Sequence, residues 1–148
     1  MEGYVSFEIA KLLKEHGFDD IIYPCYKVLT GKAYGSSNGK PIFSMNYDNS
    51  PCPCLATNSG YDKFANHDDK FYISAPTLDE AVKWLRRKHH IVVSIYPAVT
   101  DDDGEAGCLW EYSISKHCVP IHVSGMLFDK CDDALSKAIE YSLRQVIL

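Results

Sequence analysis

Cys52 and Cys54 flank a single proline, and His67 lies further along the same polar segment. Thiolates and imidazoles are ligands that zinc prefers, but zinc knuckles usually place about two to four residues between the cysteines and add a second pair of ligands. Here one residue separates the cysteines, and no second knuckle is present. Structural thiols or a labile disulfide are therefore the favoured interpretation, and a metal site at Cys52, Cys54 and His67 is the weaker one.

A cysteine nucleophile with a histidine base is a second kind of chemistry to test. Such a cysteine needs a setting that stabilises the thiolate, for example a helix N-terminus or a nearby imidazolium. Cys131 lies near the start of a predicted helix, but the neighbouring Asp132 and Asp133 oppose a thiolate there. Cys118 adjoins His117, although neighbours in a strand point to opposite faces. The sequence therefore predicts no catalytic residue.

Three further segments resemble ligand sites only superficially. Residues 31–40 are rich in glycine, but they lack the spacing of a phosphate-binding loop, and Pro41 stands where that motif continues into a helix. The basic run 86–90 lies at the C-terminal end of a predicted helix. That end is the negative pole of the helix and complements cations. The acidic run 101–103 lacks the alternating ligands of an EF-hand. No cofactor is predicted.

The charge of the chain disfavours nucleic acid as a partner. Fifteen basic and 20 acidic residues give a net charge of −5, and neither half is basic. Phosphate binding needs clustered Lys and Arg.

Residues 91–99 are the most apolar stretch, well short of the roughly 20 residues that a spanning helix requires. Glu2 stands where a signal peptide would be basic. We expect a cytoplasmic protein without membrane contact, whose six cysteines are mostly free thiols.

Three amphipathic helices are predicted. The first covers residues 6–16, with Ser6 as its N-cap and Gly17 just beyond its end. The second begins after Pro76 and ends in the basic run 86–90. The third covers about residues 130–147, and Asp129 is its expected N-cap.

Strands are predicted at 21–29, 41–47, 71–75, 91–96, 109–115 and 119–123. The first two form a plausible hairpin around the glycine-rich turn at 31–40. Strands that follow one another without helices favour antiparallel pairing. The expected fold class is thus α+β, mainly an antiparallel sheet of about five to six strands with three helices. We expect a single domain over residues 1–148, with an irregular loop at about 48–70.

One segment carries a resemblance. Its features are a strand followed by Ala75-Pro76-Thr77, an acidic first turn, Trp84-Leu85-Arg86, and then histidines and a β-branched strand. Residues 72–97 resemble uncharacterised small proteins encoded in Bacteroidetes genomes, often in prophage or mobile-element regions. Both ends of the chain look similar too, whereas the insert at 48–70 does not match. That family has no assigned activity, so the resemblance implies a cytoplasmic accessory protein and no site residues.

The tyrosine content favours a binding protein over an enzyme. Ten tyrosines are spread along the chain, and tyrosine is enriched at the buried anchors of interfaces. We expect a non-enzymatic protein acting through protein–protein contacts, including a homodimer. The alternative is a metal-binding protein or enzyme centred on the 52–67 loop. The contact surface is expected on a sheet face that the helices leave exposed, carrying Tyr96, Trp110 or Tyr112, and His122.

Overall fold

A computed structural model describes residues 3–22, 24–29, 32–34, 42–43, 57–59, 70–98 and 109–147. Contacts divide the chain into two compact units, Met1–Thr77 and Leu78–Leu148. The first unit contains α1 (Phe7–Glu15), β1 (Pro24–Leu29), β2 (Lys32–Tyr34), β3 (Ile42–Phe43) and β4 (Lys70–Ser74). The second unit contains α2 (Leu78–His89), β5 (Ile91–Pro97), β6 (Trp110–Lys116), β7 (Val119–Val123), α3 (Cys131–Tyr141) and a π-helical turn (Ser142–Val146).

Helix α1 forms where its capping signals predict it. The backbone N–H of Ile9 donates to Ser6 Oγ over 3.3 Å, which satisfies one donor that the first turn leaves without a helical partner. Gly17 has a φ of +89°, a left-handed conformation that suits glycine at the end of a helix. Phe18 then folds back, donating its N–H to the Leu13 carbonyl, and its side chain is buried. Helix α1 is therefore closed at both ends by local interactions.

Strand β1 is the centre of the first sheet. It pairs antiparallel with β4 from Cys25 to Leu29, and with β2 and β3 over shorter stretches. Buried Tyr26 on β1 donates its hydroxyl to the Val5 carbonyl over 2.6 Å. Strand β2 is a correction to the sequence prediction, because Lys32–Tyr34 pairs with β1 inside the segment expected to be a turn. Three extended residues are too few to give a periodic signal.

The second sheet has the order β5-β6-β7, and all its pairs are antiparallel. Its register places Ile91 opposite Lys116, Val93 opposite Ile114 and Ile95 opposite Tyr112. Paired residues project to the same side of a sheet, and helices α2 and α3 contact β5 and β6. Ile91, Ile114 and Tyr112 are buried there, so we call this side the covered face. The opposite side, which carries the exposed Val92 and Ser94, is the open face.

Helix α3 begins differently from the sequence prediction. Its N-cap is Lys130 rather than Asp129, and the Lys130 side chain makes no capping hydrogen bond. At its C-terminal end the helix widens into the π-helical turn, where buried Ser142 donates its hydroxyl to the Ala138 carbonyl. Lys116 Nζ donates to the Val146 carbonyl over 3.0 Å. The Lys116 ammonium group thus satisfies one of the carbonyl groups that this helix end leaves without a helical donor.

The α+β class and the three helices are confirmed. The expected continuous sheet is corrected, since the described strands form two sheets of four and three. Strands can be located from local patterns, whereas strand partners depend on contacts distant in sequence. The single domain stays a prediction. None of the helices in the described ranges has the length and apolarity to cross a membrane.

Candidate functional site

The residues first considered for metal chemistry, Cys52, Cys54 and His67, lie outside the described residues, as does most of the 48–70 segment. Of the described cysteines, Cys25 is buried, Cys118 is exposed and Cys131 is half-buried, and the last two are free thiols. Within the described ranges, no three His, Cys, Asp or Glu side chains form a group able to hold a metal ion.

The four predicted interaction residues do not share one exposed face. Tyr96 pairs with Glu111 and lies on the open face, half-buried. Trp110, Tyr112 and His122 lie on the covered face, because they pair with Pro97, Ile95 and Ile114 respectively. Tyr112 is only 6% exposed. Strand alternation therefore places Tyr96 on one face and the other three residues on the opposite face, and their role in contacts stays a prediction.

On the covered face, His122 lies within a cluster of aromatic side chains. Its ring stacks on that of Tyr141, with the centroids 3.8 Å apart and the planes 9° from parallel. The Tyr112 hydroxyl lies 3.4 Å from His122 Nε2. Burial raises the pKa of Tyr112, and the nearby Tyr141 and Glu140 raise it further, so the phenol stays protonated at neutral pH. This cluster attaches strand β7 to helix α3.

Beyond that cluster, the outer margin of the sheet is apolar. Met126 is 62% exposed, Val119 59% and Val123 55%, and Ile121 and Leu127 are also exposed. We call these five side chains, all within β7 and the loop that follows it, the apolar edge. Residues 117–128 contain no Asp, Glu, Lys or Arg. Solvent-facing apolar side chains grouped in this way usually mark a contact surface.

Ser124 fixes the loop that carries Met126 and Leu127. Its backbone N–H donates to the Tyr112 carbonyl over 2.9 Å. Its hydroxyl accepts from the Tyr112 N–H over 3.1 Å and donates to the Met126 carbonyl over 3.2 Å. Phe128 then exchanges two backbone hydrogen bonds with Trp110, at 2.8 and 2.9 Å. Because both ends of the loop are bonded to β6, its backbone is fixed beside that strand, with Met126 and Leu127 exposed.

The apolar edge suits contact through side chains better than extension of the sheet. Strand β7 pairs with β6 only, among the strands that the structure describes. Pro120 and a register shift between Ile114 and Ser115 interrupt its ladder, and both features discourage open-ended strand addition. The shift sets Val119 beside Lys116 and Val123 beside Ser113. Since those two β6 residues face opposite ways, the apolar edge projects on both sides of the sheet.

Comparisons of the chain with protein-family models, with curated proteins and with solved structures give no match. The candidate site therefore depends on geometry alone. Sequence reasoning missed Val119, Ile121, Val123, Met126 and Leu127, since it concentrated on aromatic residues. The absence of charge over twelve residues, between Lys116 and Asp129, was the signal that could have identified them.

Proposed function

We propose that this chain is a non-enzymatic accessory protein that acts through protein–protein contacts made by the apolar edge. The observation that carries the proposal is the exposure of five large apolar side chains on a segment without formal charge. Interfaces are distinguished by depletion of charged residues at their core and by enrichment in residues such as Met. We also propose that the protein is cytoplasmic and related to the mobile-element proteins that residues 72–97 resemble.

The partner that we propose is a second copy of the chain. Each copy carries a net charge of −5, so two copies repel wherever their charged surfaces meet. Residues 117–128 form a stretch where identical surfaces can meet without opposing like charges. A two-fold contact uses the same patch on both copies and closes after one pairing. Pro120 and the interrupted ladder favour such a closed dimer over a growing sheet.

The size of the surface sets the expected affinity. Stable interfaces bury about 800 Å² on each partner and involve roughly 20 to 30 residues a side. The apolar edge spans fewer residues than that, so we expect weak self-association, with a dissociation constant on the order of micromolar. A dimer of this strength is concentration-dependent and can exchange one copy for another partner.

The experiment compares substitutions of exposed apolar residues inside and outside the apolar edge. Met126→Glu introduces a charge at the most exposed position, in a loop rather than a strand. Ile21→Glu is the matched control, because Ile21 is 57% exposed and belongs to the first unit. Light scattering after size-exclusion chromatography, with samples up to about 100 µM, gives the mass of each variant.

We expect the wild type and Ile21→Glu to approach the dimer mass, while Met126→Glu stays monomeric. A wild type that is monomeric throughout would contradict self-association. Equal dimerisation of Met126→Glu would instead show that the contact lies outside the apolar edge. The alternative of a metal or catalytic centre at the 52–67 loop depends on Cys52, Cys54 and His67, which lie outside the described residues, and it stays a prediction.

A further inference from the structure

Three residues of the second unit adopt a left-handed backbone that side chains disfavour. His90, directly after helix α2, has a φ of 55°, and His117 and Cys118, which join β6 to β7, have φ values of 51° and 66°. Glycine or asparagine usually occupies such positions, both at helix ends and in two-residue hairpin turns. Backbone strain of this kind, held in place by the surrounding structure, is frequent at ligand sites.

The fold brings two of these residues together. The N–H of His117 donates to the His90 carbonyl over 3.0 Å, next to the paired residues Ile91 and Lys116 at the end of the β5–β6 ladder. The two imidazole rings stack, with centroids 4.9 Å apart and planes 30° from parallel. Both histidines are exposed to solvent. A rigid backbone therefore presents two accessible imidazoles side by side.

We propose that His90 and His117 together form a surface site for a divalent cation of borderline softness, such as Ni²⁺ or Zn²⁺. Neutral imidazole suits these metals, whereas Mg²⁺ prefers oxygen ligands. Rotation of the exposed rings about their side-chain bonds can direct one nitrogen from each towards a shared ion. Since no third protein ligand completes a group among the described residues, water fills the remaining positions.

The surroundings of the histidine pair limit its affinity. Arg86 and Lys88 are exposed in the last turn of α2, directly before the pair. Their positive charges oppose a cation, although exposed charges are partly screened by salt. Two ligands and unfavourable charges predict a dissociation constant in the range of roughly micromolar to millimolar. Neither histidine is one of the five side chains of the apolar edge, although His117 lies two residues before Val119, and the proposal does not require the chain to dimerise.

The test uses asparagine variants, because asparagine tolerates the left-handed conformation and preserves the fold. Ni²⁺ is titrated into the wild type, His90→Asn, His117→Asn and the double variant, with heat release as the readout. His16→Asn is the control, since His16 ends α1 in the first unit. Cys118→Ser tests whether the adjacent exposed thiol binds the ion instead. Mg²⁺ is titrated as the hard-cation control.

We expect each single variant to weaken Ni²⁺ binding at least about tenfold, and the double variant to be no weaker than the singles. That non-additivity is the signature of two ligands that share one ion. Binding to His16→Asn and Cys118→Ser should remain unchanged, and Mg²⁺ should not bind. Unchanged Ni²⁺ affinity in both histidine variants, loss of binding in Cys118→Ser, or no binding to the wild type would each overturn the proposal.

Discussion

At the scale of single residues, Asn58 shows how one polar side chain joins distant segments of the first unit. It is 4% exposed, and its Nδ2 donates to the Phe18 carbonyl over 2.7 Å. Its Oδ1 accepts from the Ser74 N–H over 2.9 Å. One amide thereby connects the end of α1 to the end of β4, and both backbone groups are buried away from water.

Replacing Asn58 with alanine should lower the free energy of unfolding by about 2–4 kcal/mol, because two buried backbone groups lose their partners. Urea denaturation measures the difference. Ser59→Ala is the matched control, since that exposed hydroxyl bonds to Asp19 at the surface, and its loss should cost less than about 1 kcal/mol. Equal effects of the two substitutions would show that Asn58 does not connect the two segments.

The buried tyrosines predict how stability changes in alkali. Burial raises the pKa of Tyr26 above its ordinary value of 10.0, while its hydroxyl donates to the Val5 carbonyl. A raised folded-state pKa means that the unfolded chain loses this proton first. The contribution of Tyr26 to the free energy of unfolding should therefore be constant below pH 10 and should fall as the pH rises above 10.

Tyr26→Phe should remove part of this alkaline decline and lower stability at neutral pH by about 1 kcal/mol, through loss of one hydrogen bond. Unfolding in urea, repeated from neutral to strongly alkaline pH, measures both effects. A variant with the same alkaline slope as the wild type would exclude Tyr26 as a contributor.

At the scale of elements, local chemistry made the helices predictable. Ser6 caps the start of α1, and Gly17 adopts the left-handed conformation just beyond its end. The strand pairings were harder to predict from the sequence, because β2 is too short for a periodic signal and the partners of β1 come from distant parts of the chain. The uncharged run 117–128 is visible in the sequence, but the exposure of Val119 also depends on β7 being outermost among the described strands, and local sequence does not specify that.

The start of α3 gives a prediction at the same scale. Lys130 occupies the N-cap without a side-chain bond to the first turn, and its positive charge meets the positive pole of the helix. Lys130→Ser should supply the missing acceptor and raise the free energy of unfolding by about 1 kcal/mol. Thermal or urea denaturation measures this, with Lys137→Ser in the body of the helix as the control that should not stabilise. A destabilised Lys130→Ser would contradict this description of the cap.

At the scale of the whole molecule, the apolar edge contrasts with the acidic charge of the chain. The chain is acidic overall, yet residues 117–128 carry no formal charge and hold five exposed large apolar side chains. The Ser124 hydrogen bonds and the aromatic cluster at His122 fix that segment to the second sheet. A fixed backbone loses little conformational entropy when it binds, which supports the proposed protein–protein function.

Amide hydrogen exchange, followed by mass spectrometry at several protein concentrations, tests the central proposal most directly because it reports both self-association and its location. If two copies meet at the apolar edge, amides of residues 119–127 should become more protected as the concentration rises through the micromolar range. Amides of α1 should not change, and Met126→Glu should abolish the effect. Exchange that is independent of concentration, or new protection confined to the first unit, would contradict the proposal.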